Sequence, residues 1–384
     1  MLHVHQLNLQ QAAGGGEVYT RWFTRALVKA GARVSLYVAA ENRFWDGLDS
    51  ANIDVIRVRN PSDISRRFPD RGAWIVTQSR IPKSIFDLVA QKHVLTGFSH
   101  MPIHSRSAVE FSRYEVVFTV SEYCIGLLRA SGISKVFPVP LYGTYELDRP
   151  QLRACDHPIV AKSPYHWDRR KGRDRLLSIF EPLNLYFGKR PVFARKPGLT
   201  LGVVSLLSPI KQFPALFSLL APYIAAVPEV NLEIFGNGGY AQVRDLRKAL
   251  KPISSRVRFW GYQEQVGTVY PQIDYLMTGL PEKEALGLNA LEAQALGTPV
   301  LAPRAGPFIE TIRDKKGGFL YCDPREDGGN EFKNILASLV AGRERPDPRS
   351  DTNHLATFSF AAMVDRTRNL VQYMSQAFPA VRDR

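Results

Sequence analysis

Cysteine is scarce in this chain: Cys124, Cys155 and Cys322 are the only three among 384 residues, far apart and odd in number. No CxxC pair or Cys/His ligand spacing occurs, which argues against a disulfide framework or a zinc site and fits a reducing compartment. Long apolar runs are missing too, and none approaches the ~18 consecutive residues that a membrane-spanning helix needs. The start, Met1-Leu2-His3-Val4-His5, has no basic segment followed by an apolar one, so no secretory signal is expected. The expected place is therefore the cytoplasm. Without GxxxxGK[ST] there is no P-loop, and without GxGxxG after the first strand a dinucleotide oxidoreductase is disfavoured.

What is present is an ordinary globular composition, 45% hydrophobic and 22% charged. At about 100–200 residues per domain the length predicts two domains, each able to bury a core without metals or disulfides. The formal charge is +14, and its distribution is uneven. Between Arg149 and Lys196 twelve Lys/Arg face four Asp/Glu. Such a surplus points to an acidic partner, against the alternative of a solvated face on a basic protein. A nucleic-acid partner has no basic helix, RNP-type aromatic pattern or zinc finger to support it.

Along the first part of the chain, short apolar runs alternate with helical periodicity. Strands are predicted at Leu2–Leu7, Val34–Ala39, Val55–Val58, Trp74–Thr77, His93–Phe98, Val116–Val120 and Val136–Leu141. A helix from Glu17 places Val18, Tyr19, Trp22, Phe23, Ala26 and Leu27 on one face, and Gly31 stops it. The stretch from Asp148 to Lys196 interrupts this rhythm. It then resumes with strands at Leu201–Leu207, Asn231–Phe235, Val257–Trp260, Tyr275–Met277 and Pro299–Ala302, and helices at Gln212–Ala225 and Gly287–Leu296. A last amphipathic segment, Phe360–Phe378, offers Met363, Leu370, Val371 and Met374 for burial. The pattern predicts an α/β chain of two Rossmann-like, doubly wound domains facing across a cleft, with ligand at the carboxyl ends of the strands. The expected domains are 1–148, a basic inter-domain region or insertion at 149–197, a second domain at 198–358, and a helix at 359–384 that packs back on the first.

The sharpest motif runs from Glu284 through Ala285, Leu286, Gly287 and Leu288 to Glu292, and continues to Gly297, Pro299 and Val300. It lies between two predicted strands, so Glu284 falls in a loop at a strand's carboxyl end and Gly287 opens a helix. The unpaired N–H groups and partial positive charge of a helix N-terminus suit a diphosphate. Carboxylates suit vicinal sugar hydroxyls, because each oxygen accepts hydrogen bonds. The competing reading is an amphipathic helix with two surface glutamates.

This motif, a Glu, seven residues, a second Glu, then Ala and Gly-x-Pro-Val, resembles glycosyltransferase family 4, the retaining enzymes of GT-B architecture. Gly14, Gly15, Gly16 and Glu17 resemble that family's N-terminal glycine-rich loop, and Leu201–Lys211 its C-terminal-domain strand and loop with a diphosphate-binding lysine. Gly236, Asn237 and Gly238, with Gly261 and Tyr262, resemble the turns bordering the nucleotide base. Gly306 to Glu310 resembles a later Gly-x-x-x-Glu loop. His100 occupies a place where the family often has a histidine near the reactive sugar carbon or the acceptor, against the alternative of a structural histidine. The resemblance implies His100, Lys211 and Glu284 as catalytic. It implies Gly15, Gly16, Lys211, Gly236, Tyr262, Glu284, Ala285, Leu286, Gly287, Leu288 and Glu292 as donor-binding, with Glu284 on the sugar and Glu292 on the ribose. It also implies a nucleotide diphosphate sugar as donor and no metal cofactor, in keeping with the absence of any D-x-D; His100 and His104 lack a third ligand. Two departures stand out. Leu206 occupies the place of a common arginine, so Lys211 and the helix N-terminus act alone or Arg195 or Arg304 substitutes. Leu280-Pro281-Glu282-Lys283 replaces the usual Pro-Ser.

For the acceptor the clue is Trp167, Arg169, Arg170, Lys171, Arg173 and Arg175 beside Leu176, Leu177, Ile179 and Phe180. Cations beside an apolar run read as an anionic membrane surface contact. The expectation is a glycan or lipid-linked acceptor in lipopolysaccharide, O-antigen or exopolysaccharide synthesis, on the inner face of the cytoplasmic membrane. Its competitors are a soluble transferase acting on a small sugar or polyol acceptor, and a non-catalytic sugar-binding protein of the same fold.

Overall fold

The computed structural model describes residues 1–11, 14–60, 63–69, 71–78, 81–103, 105–143, 157–167, 172, 174–178, 190–342 and 345–381. By contact density the chain divides into two units, Met1–Thr144 with Ala356–Arg384, and Tyr145–Leu355.

In the first unit six strands, β1 (His3–Asn8), β2 (Arg33–Ala39), β3 (Ile53–Val58), β4 (Trp74–Thr77), β5 (Val94–Ser99) and β6 (Val116–Thr119), form one parallel sheet in the order β3-β2-β1-β4-β5-β6. A central strand of a parallel sheet covered on both faces is buried on both sides, which is why Trp74–Thr77 shows no alternation and opens on three apolar residues. Helix α1 (Gly15–Lys29) lays Tyr19 and Phe23 against Phe98, and its Trp22 meets Phe360 at the start of the chain's last long helix (Phe360–Ala377), with ring centroids 5.3 Å apart. That last helix buries Met363, Thr367, Leu370 and Met374, while Val371 stays half-exposed. The other face is covered by helices α2 (Lys83–Ala90), α3 (Ser105–Phe111) and α4 (Glu122–Ala130), around a core that includes Leu7, Ile75, Phe86, Val117 and Leu128.

The predicted strand at Val136–Leu141 does not form. Pro138 and Pro140 remove ladder donors, leaving an isolated bridge from Val136 to Val117 and a single bond from Leu141 N–H to the Thr119 carbonyl.

The second unit repeats the order. Strands β7 (Leu199–Val204), β8 (Val230–Phe235), β9 (Val257–Gly261), β10 (Tyr275–Met277), β11 (Val300–Pro303) and β12 (Gly318–Tyr321) lie parallel as β12-β11-β10-β7-β8-β9. Side chains alternate between its faces. Leu201 and Val203 join Leu216 and Phe217 of α5 (Phe213–Ala225), with Val243 of α6 (Tyr240–Ala249) in the same core. Val204 joins Ala290 and Ala293 of α7 (Leu288–Ala295) in the other. Helix α8 (Asn330–Val340) adds Phe332 and Leu336 to the first. Part of the basic stretch belongs to this unit: Val160 bridges Val192, Tyr165 bridges Gly238, and Ile159 is buried in the α7-side core. Arg169, Arg170, Lys171, Arg173, Ile179 and Phe180, like His104, lie outside the described residues. No helix among the described residues is long and apolar enough to cross a membrane.

In each sheet the chain leaves the first strand, winds one way, and returns to wind the other. The switch points are β1/β4 and β7/β10, where ligands of such folds gather at the strands' carboxyl ends.

His5 is among the buried groups that make the first unit acid-sensitive. His5 sits on β1 between Tyr37, whose hydroxyl is 3.2 Å from Nδ1, and the edge of Phe68. Burial, with the neighbouring His3 and His93, pushes its pKa down to about 3. The unfolded chain takes up that proton first, so the contribution is complete above pH ~6.5 and is lost as pH falls from there toward 3. Its full extent is ~5 kcal/mol. His5→Phe is expected to move the acid-unfolding midpoint, followed by circular dichroism, to lower pH; an unmoved midpoint would contradict this.

Candidate active site

The switch point of the second sheet brings together the residues of the sequence motif. Lys211 lies in the loop after β7 and Glu284 in the loop after β10. These two loops are joined through the backbone: Leu280 N–H donates to the Lys211 carbonyl (3.3 Å), and Gly279 leaves room for it. A Cβ at Gly279 would lie 2.1 Å from that oxygen. With both loops so placed, the Lys211 ammonium pairs with Glu284 Oε2, the two side chains being 22% and 14% exposed. The other carboxylate oxygen accepts the Gly287 N–H at 3.1 Å. Gly287 itself, at φ 82°, makes the left-handed turn into α7, and a side chain there would press on the Phe308 ring. Ala285 and Leu286 are buried beneath this turn, and Leu288 begins the helix.

The result is a partly buried cation, a carboxylate and a helix N-terminus within one short segment. Such a site can take an anion at the lysine and the helix amides, and hydroxyl groups at the carboxylate. Glu292 lies further along α7 and accepts the Tyr270 hydroxyl at 3.2 Å, so its environment differs from that of Glu284.

The glycine turns of this unit have a role of their own. Gly236, at φ 141°, donates to the Gly261 carbonyl, and a Cβ on it would lie 1.9 Å from the Ser205 carbonyl oxygen. These turns are backbone crossings where β7, β8 and β9 end. Tyr262 beside them is 55% exposed, as is Leu206. Neither arginine considered as a substitute for a cation at Leu206 is free for that role. Arg195 pairs with Asp274 at the amino end of β10, the opposite end of the strands, and Arg304 pairs with Glu331 and the Leu320 carbonyl.

The first unit gathers a second set. Helix α1 starts with Gly15 and Gly16, capped by a bond from Gly14 N–H to the Glu17 carboxylate (2.8 Å). His100, just past β5, stacks on Phe98 (4.6 Å between centroids) and meets Tyr19 edge-on. Its Nε2 lies 2.6 Å from Gln78 Oε1. Burial pushes its pKa down to about 4, so the ring is neutral at pH 7. Gln78 was not legible as a site residue: it belongs to no motif, and its one signal is that it directly follows β4 at the switch point.

Gly15 and Gly16 are not demanded by the packing of this unit. Neither has a positive φ; a Cβ on Gly15 would meet nothing within 4 Å, and one on Gly16 only His100 Cγ at 3.9 Å. Gly15→Ala and Gly16→Ala are therefore expected to fold and to melt at or above the parent temperature, since alanine favours a helix by about 0.5–1 kcal/mol over glycine. A large drop in melting temperature would assign these glycines to the fold instead.

The chain is similar to known proteins in sequence and in fold. Residues 198–341 match the family model "Glycosyl transferases group 1". Over 121 residues the chain is 34% identical to a GDP-mannose-dependent monoacylated alpha-(1-6)-phosphatidylinositol monomannoside mannosyltransferase of Corynebacterium glutamicum, covering 29% of this chain and 31% of the relative. Over 170 residues it is 29% identical to a D-inositol 3-phosphate glycosyltransferase of Segniliparus rotundus, covering 42% and 37%. The chain thus matches only about a third of the length of these curated relatives. Solved structures are similar over nearly the whole chain: HepE of Anabaena in complex with UDP-glucose (14% identity, 97% of this chain and 100% of that one, TM-score 0.67), and sucrose-phosphate synthase of Thermosynechococcus elongatus (16%, 98% and 100%, 0.67). The lipopolysaccharide outer core galactosyltransferase WaaB is similar at 14% identity, 97% and 99% coverage and TM-score 0.64. By architecture, then, the chain has the two Rossmann-like units of the GT-B fold, and the residues that match the group 1 glycosyl transferase model include Lys211 and Glu284.

Proposed function

We propose that this chain is a retaining, metal-independent glycosyltransferase of family 4 that moves a hexose from a nucleotide diphosphate sugar to a glycan or lipid-linked acceptor in envelope polysaccharide synthesis. The observation that carries the reading is the Lys211–Glu284–Gly287 arrangement at the β7/β10 switch point. In this reading the donor diphosphate takes the Lys211 ammonium and the amides at the start of α7. Negative charge that grows on the leaving group is stabilised there by groups already in place. Glu284, released from the lysine, accepts hydroxyls of the sugar, and Glu292 those of the ribose. Gly236 and Tyr262 border the base, Gly15 and Gly16 leave their backbone open to approach, and His100 serves the sugar or the acceptor.

The phosphatidylinositol mannoside named for one relative supports a lipid-linked acceptor at the inner face of the cytoplasmic membrane. A second reading, a soluble transferase acting on a small polyol acceptor, has its own support in the inositol phosphate named for the other. Sedimentation with anionic vesicles separates the two: the lipid reading expects binding, the polyol reading none.

Lys211→Ala and Glu284→Ala are expected to keep the parent circular dichroism spectrum and to lose transfer by about 100-fold or more, the size of effect seen when one transition-state contact is removed. A panel of UDP-, GDP-, ADP- and CMP-sugars in a thermal-shift assay would identify the donor, because a ligand of the folded state raises its melting temperature. Full transfer by Glu284→Ala would contradict the assignment.

A further inference from the structure

The contact between Gln78 and His100 has features that packing alone does not account for. Gln78 is 6% exposed and follows β4 at the switch point of the first sheet, anchored by its N–H to the Leu7 carbonyl (2.8 Å). Its Oε1 faces His100 Nε2 at 2.6 Å, and its Nε2 is buried without a partner among the described residues. An unpaired buried donor is unfavourable, and an apolar side chain of the same shape would avoid that cost. What the amide contributes is the one bond to the imidazole.

An amide oxygen only accepts, so the ring nitrogen facing it carries the proton. The two nitrogens of a neutral imidazole have opposite roles, and a proton held on Nε2 leaves Nδ1 as an acceptor. The ring is held between Phe98 and Tyr19, and its Nδ1 takes no hydrogen bond from the described residues. Beside it lies Gly16, where even a Cβ would stay 3.9 Å from the ring's Cγ.

We propose that Gln78 is a positioning residue that fixes His100 as the Nε2–H tautomer and so presents Nδ1 as the acceptor for a sugar hydroxyl. This rests on the reading of His100 as a sugar- or acceptor-side group. It makes Gln78 a contributor to turnover that does not itself touch the sugar.

Nitrogen-15 histidine spectra of the full chain at neutral pH, with transfer assays on the same samples, test this. The parent is expected to show His100 protonated at Nε2. Gln78→Met keeps the shape but offers no oxygen, and is expected to give a mixture of tautomers with kcat down about tenfold and KM little changed. Gln78→Glu keeps both the shape and the acceptor. Its carboxylate draws a second proton onto the ring, so the spectrum becomes that of an imidazolium and transfer falls although the fold is kept. A parent protonated at Nδ1, or Gln78→Glu with an imidazolium and parent turnover, would overturn the proposal. Glu284→Ala in the same assay separates the two readings: if it loses transfer while the Gln78 variants do not, the tautomer assignment alone fails.

Discussion

The ion pair between Lys211 and Glu284 joins two loops that leave adjacent strands at the point where the second sheet changes its winding direction. Each charge is satisfied by the other, and the second carboxylate oxygen is satisfied by the first amide of the turn into α7. Burying either partner alone would leave an uncompensated charge, which is far less favourable than the pair. The surrounding backbone keeps the pair together: the Lys211 carbonyl rests on Gly279, and the left-handed turn at Gly287 aims the helix start at the same spot. A site arranged in this way pairs its own charges, yet offers a cation, a carboxylate and helix amides to a ligand able to exchange with the pair.

The same constraint accounts for much of the architecture around it. Parallel neighbours cannot be joined by hairpins and need crossover connections, and both units make theirs with the same strand order. The glycines at 236, 238, 261 and 279 lie where backbones cross just beyond the strand ends, at separations no side chain would allow. In the first unit the same topology gathers Gly16, His100 and Gln78, with aromatic rings where the second unit has charges. The two units share a frame and differ in the chemistry placed on it.

Much of this frame was legible from apolar runs, because a strand buried on both faces needs no polar alternation. Trp74–Thr77 and Tyr275–Met277 were read with the bounds they have. The run at Val136–Leu141 misled because its apolar content was right while its two prolines denied it a ladder. Strand β12 was missed: it starts at a glycine, which reads as a turn, whereas here its φ of 149° sets the backbone close against Val300. At the site, Lys211, Glu284 and Gly287 were legible because spacing within a strand–loop–helix unit translates directly into position. Gln78 was not, since its partner is 22 residues away and only the fold brings them together. The glycines at 236 and 261 were read as bordering a base; the geometry adds a role in the backbone itself, which residue type alone does not reveal.

The account turns on whether the Lys211–Glu284 pair is the place that a nucleoside diphosphate occupies. A crystal structure of the chain soaked with the nucleoside diphosphate that raises its melting temperature most would decide it. The account predicts the β-phosphate within ~3 Å of Lys211 Nζ and of the amides at the start of α7, with the Glu284 carboxylate released from the lysine. A nucleotide bound elsewhere with the Lys211–Glu284 pair intact would contradict it.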